Sequence, residues 1–180
     1  MVPERPPVIN WSIDGGVYGI NEANGETVDA AGLAELIGSS DSDPLSFQQL
    51  LKVVGGSNMS QLSDRLVACV AWVESGGNPT AQNPNSSALG LMQMTTGTIS
   101  SYVLPWYSDN PSFAGFTPQS LYTQQVNPAI SIMTGSAYLQ MLAFDRWSFG
   151  IPGALARYHY GPNSSNRARP YTRKIMRCAR

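Results

Sequence analysis

Apolar side chains between residues 60 and 74 recur every three or four positions, which is the period of one face of an α-helix. Ser60 precedes this stripe as a plausible N-cap, and Gly76 and Gly77 supply the left-handed residues that commonly end a helix. The pattern therefore predicts a helix from Ser60 to Glu74. Its apolar stripe consists of Leu62, Leu66, Cys69, Val70 and Val73.

The same reasoning predicts several other helices. One is expected at about Ser46–Val54. A longer one begins with Asn127 as N-cap and Pro128 at the first helical position, followed by apolar residues at 3.6-residue spacing. The stretch Asn78–Ala88 is rich in Asn, Pro, Ser and Gly, which indicates a loop or small hairpin. Two further helices are expected to begin at prolines, namely Pro152 and Pro170.

Residues 1–45 lack a long periodic pattern, and we expect short strands or irregular structure followed by one helix. The apolar pieces, the turn and the helix are expected at Val8-Ile9, Val17-Tyr18-Gly19-Ile20, Asn24-Gly25 and Ala30–Ile37. The predicted fold class is α+β and mostly α-helical. We predict an N-terminal extension of unknown role at residues 1–45 and one domain at residues 46–180.

Composition and charge are typical of a globular domain and disfavour some classes of binding partner. The chain has 180 residues, of which 42% are apolar and 13% charged, with a net charge of −1. This net charge and the lack of a recognisable binding motif disfavour nucleic acid as a partner. Residues 146–180 nevertheless contain eight Arg or Lys and no acid. This basic end either attracts anionic polymers or is simply a solvated helix face.

Glu74 is the candidate catalytic residue, because it stands at the end of the predicted helix beside Trp72 and Val73. The negative end of the helix dipole and an apolar environment both penalise a carboxylate, so its pKa should be raised. A glutamic acid that stays protonated near neutral pH can act as a general acid. The alternative is a surface glutamate that happens to end a helix.

Four ordered motifs accompany Glu74-Ser75, and together they carry a family resemblance. They are Gly90-Leu91-Met92-Gln93-Met94, Asn127-Pro128-Ala129-Ile130-Ser131-Ile132 leading to Gly135 and Tyr138-Leu139, Ala154 to Pro162, and Tyr171-Thr172-Arg173-Lys174-Ile175. The chain resembles the soluble lytic transglycosylases and goose-type lysozymes, the glycoside hydrolase family 23-like enzymes with an SLT domain.

The resemblance implies a lysozyme-like fold that cleaves the glycan strand of peptidoglycan, with Glu74 as the catalytic acid. The substrate-binding residues that it implies are Ser75, Met92, Gln93, Tyr158, His159 and Tyr171. His159 departs from the family pattern, which usually has asparagine there, so its role is either a donor to a sugar or a hydrogen-bonded side chain beside the cleft. In the ring-rich loop, Trp106 and Tyr107 are candidates for stacking on sugars, although core packing is the commoner role of such rings.

The reaction type depends on a second carboxylate. No Asp or Glu occurs between Ser75 and Ser108, and only Asp109 and Asp145 remain as distant candidates. A hydrolase needs a second carboxylate as base or nucleophile. With one acid, the chemistry implied by the resemblance is transglycosylation at the MurNAc-β-1,4-GlcNAc bond with formation of 1,6-anhydroMurNAc. A hydrolytic muramidase on the same fold and a non-catalytic glycan-binding module are the alternatives.

The cysteines and the single histidine define the remaining possibilities. A cysteine hydrolase would pair Cys69 with His159, but Cys69 lies on an apolar helical stripe where a structural thiol is usual. Cys69 and Cys178 either form a disulfide in an oxidising compartment or stay as two free thiols. One His and two widely spaced Cys disfavour a zinc site, so no metal or cofactor is expected.

The chain shows no run of ~18 apolar residues that would span a membrane, and no signal peptide is visible at its start. Since its substrate would lie in the periplasm or cell wall, either a leader has been removed or export follows a leaderless route. Such a route is used by a secreted antibacterial effector or a phage lytic component. An effector would require a cognate immunity protein in the producing cell.

Overall fold

The computed structural model describes residues 17–21, 26–29, 43–163 and 169–180, and most of this part of the chain is helical. The main helices are α1 (Phe47–Ser57), α2 (Asp64–Ser75), α3 (Thr96–Thr98), α4 (Leu104–Trp106), α5 (Pro118–Thr123), α6 (Pro128–Gln140), α7 (Gly150–Tyr160) and α8 (Arg169–Cys178). π-Helical turns at Ile99–Val103 and Met141–Asp145 and 3₁₀ turns at Pro111–Phe113 and Gln124–Val126 interrupt or connect them.

The helix that carries Glu74 begins three residues later than the sequence predicts. Its N-cap is Ser63, whose side chain accepts a hydrogen bond from the Leu66 amide, and not Ser60. The Ser60 hydroxyl donates instead to Asn58 Oδ1 in the preceding turn. At the other end, Gly76 adopts φ 63° as predicted, so the helix ends in a left-handed residue directly after Ser75.

Helix α6 forms the centre of the domain. Every one of its residues except Ile130 is buried, which is why its apolar residues are not confined to one stripe. Asn127 caps it as predicted, with Oδ1 accepting from the amides of Ala129 and Ile130. Its buried polar side chains bind the loops around it: Ser136 Oγ accepts from the Met59 amide, for example.

The other helix boundaries agree closely with the sequence pattern. The predicted helix at Ser46–Val54 is α1, and Ser46 and Gln49 form a capping box at its start. Pro152 and Pro170 lie within the first turns of α7 and α8. In the predicted loop, single bridges pair Gln82 with Leu89 and Leu89 with Met94.

The last helix is fixed to the helix of Glu74. A disulfide joins Cys69 in α2 to Cys178 at the end of α8, and Ile175 of α8 is fully buried. Cys69 therefore carries no free thiol, which rules out the cysteine hydrolase pairing with His159. None of the helices in the described part of the chain combines the length and apolar character that a membrane span needs.

The N-terminal region contains an antiparallel hairpin of β1 (Val17–Asn21) and β2 (Glu26–Asp29). Asn21 pairs with Glu26 and Ile20 with Thr27, and the register is irregular between Val17 and Ile20. The strand expected at Val17-Tyr18-Gly19-Ile20 is therefore present. The predicted piece at Val8-Ile9, the turn at Asn24-Gly25 and the helix at Ala30–Ile37 lie outside the described residues, and the division of the chain at residue 45 stays a prediction.

Candidate active site

Glu74 lies in the wall of an open cleft of about 610 Å³. Helix α2 brings this carboxyl group to the cleft at its C-terminal end, and the Gly76-Gly77 turn then carries the chain away. Gly77 has to be glycine, because a Cβ on it would lie 2.4 Å from the Leu45 carbonyl oxygen. The two glycines thus let the backbone turn sharply after α2 and pass close to Leu45, while Glu74 stays at the cleft.

Tyr171 of α8 completes the immediate environment of this carboxyl group. Its hydroxyl donates a short hydrogen bond to Glu74 Oε1. Because Oε1 of Glu74 accepts this bond, Oε2 is the oxygen left free to carry a proton. Tyr171 stays a donor, since its own burial and the neighbouring Glu74 raise the pKa of its phenol.

Burial raises the pKa of Glu74 above its ordinary value of 4.5. The hydrogen bond from Tyr171 opposes this effect, as do the positive charges of His159 and Lys174. Desolvation is the largest of these influences, so the protonated form is favoured relative to a glutamate in water. The environment of Glu74 therefore raises its pKa, in the direction that the sequence predicts.

The loop that carries Gln93 also lines the cleft, and Tyr158 and Ser131 hold its backbone. Tyr158 donates to the Met92 carbonyl oxygen at 2.7 Å, and Ser131 Oγ accepts from the Met92 amide at 3.1 Å. Gln93 adopts φ 50°, a left-handed conformation that is costly for a residue with a side chain. Its amide group donates to the carbonyl oxygens of Ala81 and Gly90, so this strained turn is held in place by several hydrogen bonds.

Sequence-predicted site residues fall into two groups. Glu74, Gln93, Tyr158 and His159 line the cleft. The other three lie behind its surface. Tyr171 donates a hydrogen bond to Glu74, and the Met92 side chain is fully buried. The Ser75 hydroxyl donates to the Ala71 carbonyl oxygen and accepts from the Gly77 amide. The side chain of Met92 therefore supports the Gln93 turn and does not form part of the cleft surface.

His159 is exposed at the rim of the cleft and stacks on Tyr171, with ring centroids 4.5 Å apart and planes inclined by 18°. The ring of Tyr160 meets it edge-on at 4.7 Å. The histidine thus covers the phenol that binds Glu74.

Two rings that sequence reasoning did not select as site residues, Tyr102 and Tyr138, also line the cleft. They stack on each other with centroids 6.1 Å apart. Trp106 and Tyr107, which the sequence indicates as candidates for stacking on sugars, are not among the lining residues. Trp106 is 44% exposed beside Arg146, and Tyr107 donates to the Ala137 carbonyl oxygen and to Asp145.

Glu74 is the only acidic side chain among the described residues that line the cleft. Asp145 accepts hydrogen bonds from Tyr107 and Gln140 away from it, and Asp109 is likewise absent from the lining. Within the described ranges no three His, Cys, Asp or Glu side chains are grouped as a metal site would require. The arrangement is suited to proton donation and return by a single carboxyl group.

Comparison with known proteins gives a consistent result. A family model described as the transglycosylase SLT domain matches residues 55–176. The endo-type membrane-bound lytic murein transglycosylase A of Cronobacter sakazakii is 37% identical over 81 residues, which are 45% of this chain and 36% of that protein. Its counterpart from an Enterobacter species is 36% identical over the same length, with the same coverage of both chains. The match therefore spans little more than a third of each of these relatives.

Solved structures support the fold. The 70 kDa soluble lytic transglycosylase from Escherichia coli superimposes with a TM-score of 0.56 at 22% identity, over 82% of this chain and 25% of that one. A complex of the 70-kDa soluble lytic transglycosylase with bulgecin A gives 0.55 at 21% identity, with the same coverage. These likenesses confirm the mostly helical, lysozyme-like fold.

Proposed function

This chain belongs to the transglycosylase SLT domain family, and we propose from that premise that it is a peptidoglycan lytic transglycosylase. The observation that carries the proposal is the single acid of the cleft. Burial raises the pKa of Glu74, its Oε1 accepts from Tyr171, and no second carboxylate lies in the described lining. Both hydrolytic routes require a second carboxylate, whereas an intramolecular route does not.

The proposed reaction begins with proton transfer from Glu74 Oε2 to the glycosidic oxygen between MurNAc and GlcNAc. The bond from C1 of MurNAc to that oxygen breaks, and the acetamido oxygen of the same sugar stabilises the developing cation. The Glu74 carboxylate then takes the proton from the C6 hydroxyl, whose oxygen forms a bond to C1. The products are a GlcNAc-ended strand and 1,6-anhydroMurNAc, and no water is consumed.

One carboxyl group is sufficient for this sequence because it acts first as acid and then as base. The nucleophile belongs to the same sugar, so it is present at high effective concentration. Tyr171 keeps its hydrogen bond to Oε1 in both states, which leaves Oε2 as the oxygen that exchanges the proton. General acid–base catalysis of this kind contributes on the order of 10² to 10⁴ in rate.

The rest of the cleft is suited to holding a sugar chain. Tyr102 presents a ring that the buried Tyr138 supports from behind, and Gln93, Thr95 and Ser101 present polar side chains along the lining. Rings that stack on the apolar faces of sugars, with hydrogen-bonding groups between them, are typical of carbohydrate sites. In this proposal Gln93, Tyr158 and His159 contact the substrate, while Ser75, Met92 and Tyr171 position the groups that do.

The substrate locates the activity in the periplasm or cell wall, and a secreted antibacterial effector or a phage lytic component is the role we propose. An effector would need an immunity protein in the cell that makes it. Expression of the chain directed to the bacterial periplasm, compared with the same chain kept in the cytoplasm, tests the location. Lysis should occur only in the first case, and equal lysis in both would contradict it.

Product analysis tests the reaction. Purified sacculi are digested and the muropeptides are reduced with borohydride and weighed by mass spectrometry. We expect ends that resist reduction and are lighter by one water than those made by a hydrolase. Reducible ends would identify a muramidase on the same fold, with Glu74 still the acid and a second residue, or a water held by Gln93 or Tyr171, completing the reaction. Binding without any cleavage would identify a glycan-binding module.

A further inference from the structure

A second depression of about 480 Å³ lies between α7 and α8, and arginines dominate its lining. Arg157 of α7 and Arg169 and Arg173 of α8 reach it, together with the hydroxyl-bearing Thr172. We call this depression the arginine groove. Nothing in the proposed glycan cleavage uses it.

Within the part of the chain that the structure describes, no acidic side chain neutralises the positive charge of the arginine groove. No described carboxylate forms an ion pair with these three guanidinium groups, and the sequence from residue 146 to residue 180 contains no Asp or Glu. Three like charges in one depression repel one another, and a bound anion relieves this repulsion. An uncompensated cluster of this kind is therefore more consistent with ligand binding than with stabilisation of the fold.

Two of the arginines are held in place before any ligand arrives. The guanidinium of Arg157 lies over the Phe149 ring, 3.6 Å from its centroid, and its buried Nε has no hydrogen-bond partner among the described residues. Arg173 Nε donates to the Arg169 carbonyl oxygen at 3.2 Å. Planar guanidinium groups fixed in this way match the oxygens of carboxylate and phosphate groups, and little side-chain entropy is lost on binding.

The arginine groove and the catalytic cleft use different faces of the same two helices. Arg157 directly precedes Tyr158, and Thr172 directly follows Tyr171. Consecutive side chains on a helix point about 100° apart, so the side that binds an anion and the side that serves Glu74 are separate. Both sites can therefore be occupied at the same time.

We propose that the arginine groove is an oxyanion-binding site that holds the enzyme on its polymer through carboxylate or phosphate groups. The inference that an oxyanion binds here depends only on the residues of the groove. The identity of the polymer that carries the anion depends on the proposed function. In a cell wall these groups come from the stem peptides of peptidoglycan or from phosphate-bearing polymers attached to it. Occupation of the groove during cleavage would keep successive bonds of one polymer near Glu74.

Nuclear magnetic resonance of ¹⁵N-labelled protein tests the site directly, with inorganic phosphate and citrate as probes. The Nε–H resonances of the groove arginines should shift on titration, whereas that of Arg65, which lies over Phe47, should not. In an Arg169→Gln/Arg173→Gln variant the dissociation constant should rise by roughly tenfold or more. Arg177→Gln is the matched control, because Arg177 is an exposed residue of the same helix outside the groove. Equal weakening by the control, or no shift with either anion, would overturn the proposal.

Retention on sacculi identifies the source of the anion, with all variants made in a Glu74→Gln background so that the wall stays intact. The double variant should be retained at least several-fold less than the Arg177→Gln control. Removal of stem peptides by an amidase should abolish this difference if the ligand is a carboxylate, and removal of phosphate polymers should abolish it if the ligand is a phosphate. Retention that neither treatment changes would contradict the proposal. Product analysis of the unmodified chain tests glycan cleavage separately from anion binding. The arginine-groove proposal can therefore fail while the proposed function holds, and the reverse is also possible.

Discussion

The hydroxyl of Tyr171 donates a hydrogen bond to Glu74 Oε1, although 97 residues separate the two in the sequence. Glu74 lies at the end of α2 and Tyr171 in the first turn of α8, and the disulfide between Cys69 and Cys178 joins the same two helices. In the proposed mechanism this pair leaves Oε2 of Glu74 as the oxygen that carries the proton.

Replacing Glu74 by glutamine removes the proton donor and keeps the shape of the side chain. We expect the rate of glycan cleavage to fall by on the order of 10² to 10⁴. The loss of turbidity of purified sacculi measures this rate. Similar lysis by both proteins would place the chemistry on another residue.

The same Glu74→Gln substitution should stabilise the fold at neutral pH. Because burial raises the pKa of Glu74 above 4.5, its contribution to stability is present below pH 4.5 and is lost as the pH rises through the folded-state pKa. The Glu74→Gln variant does not undergo this loss. Thermal melts from pH 4 to 8 should show a higher Tm for the variant at the upper end and equal values at the lower. A constant difference at every pH would show that Glu74 ionisation is not its cause.

Replacing Tyr171 by phenylalanine should shift the pH dependence of activity. The hydrogen bond from Tyr171 lowers the pKa of Glu74, so its removal raises that pKa further. Cleavage requires protonated Glu74, and the decline of kcat/KM at alkaline pH should therefore move to higher pH. Tyr160→Phe is the control, since Tyr160 is 49% exposed and is not in the lining. An unshifted profile in the Tyr171→Phe variant would mean that this contact does not control the acid.

The disulfide should contribute about 4 to 5 kcal/mol to the free energy of unfolding, because it closes a loop with a sequence separation of 109. Denaturant titrations of the oxidised protein and of a Cys69→Ala/Cys178→Ala variant measure this difference. The variant should also lose cleavage rate, since α8 carries Tyr171. Thiol titration of the denatured, unreduced protein should detect no free thiol, and two thiols in the exported form would contradict the pairing.

Close packing behind the Gln93 turn explains a glycine in the middle of α6. A Cβ on Gly135 would lie 2.5 Å from Met92 Cβ, so Gly135→Ala should destabilise the fold by about 1 to 3 kcal/mol despite the better helix propensity of alanine. Gly55→Ala in α1 is the matched control, because its Cβ would meet only Asp64 Oδ2 at 3.6 Å. That variant should be as stable as the parent or more so, by up to about 1 kcal/mol. Chemical unfolding of both variants provides the measurement.

The sequence predicts the helices and the place of Glu74 near a helix end well because these depend on local signals. Helix α2 ends at a Gly-Gly pair and α6 begins at an Asn-Pro pair, and both signals act through neighbouring backbone groups. The sequence pattern favours Ser60 as the N-cap of α2, but Ser63 caps it, since either serine could precede the same apolar stripe. Which one does so depends on the turn before it, where Asn58 binds Ser60.

The rings of the cleft could not be chosen from the sequence, because their directions depend on helix geometry. A π-helical turn at Ile99–Val103 changes the register of the segment that follows. Tyr102 within this turn reaches the cleft, whereas Tyr107 beyond it packs on Phe113 and binds Asp145. A regular 3.6-residue period does not anticipate this change.

His159 stands where the family usually has asparagine, and we expect it to tune the acid without taking part in the chemistry. Its ring covers Tyr171, and its positive charge, when present, lowers the pKa of Glu74. The His159→Asn variant should retain cleavage within about tenfold of the parent, well above the residual rate of Glu74→Gln. With the charge removed, the pKa of Glu74 rises and the alkaline decline of kcat/KM moves to higher pH.

Rates on sacculi across a pH series separate this role from a catalytic one. If His159 transferred a proton itself, the His159→Asn variant would lose on the order of 10² or more at every pH. If its only role is to stack on Tyr171, a His159→Phe variant would keep the stacked ring and behave like the parent. The tuning role predicts a third result, in which the phenylalanine and asparagine variants show the same alkaline shift because both lack the charge.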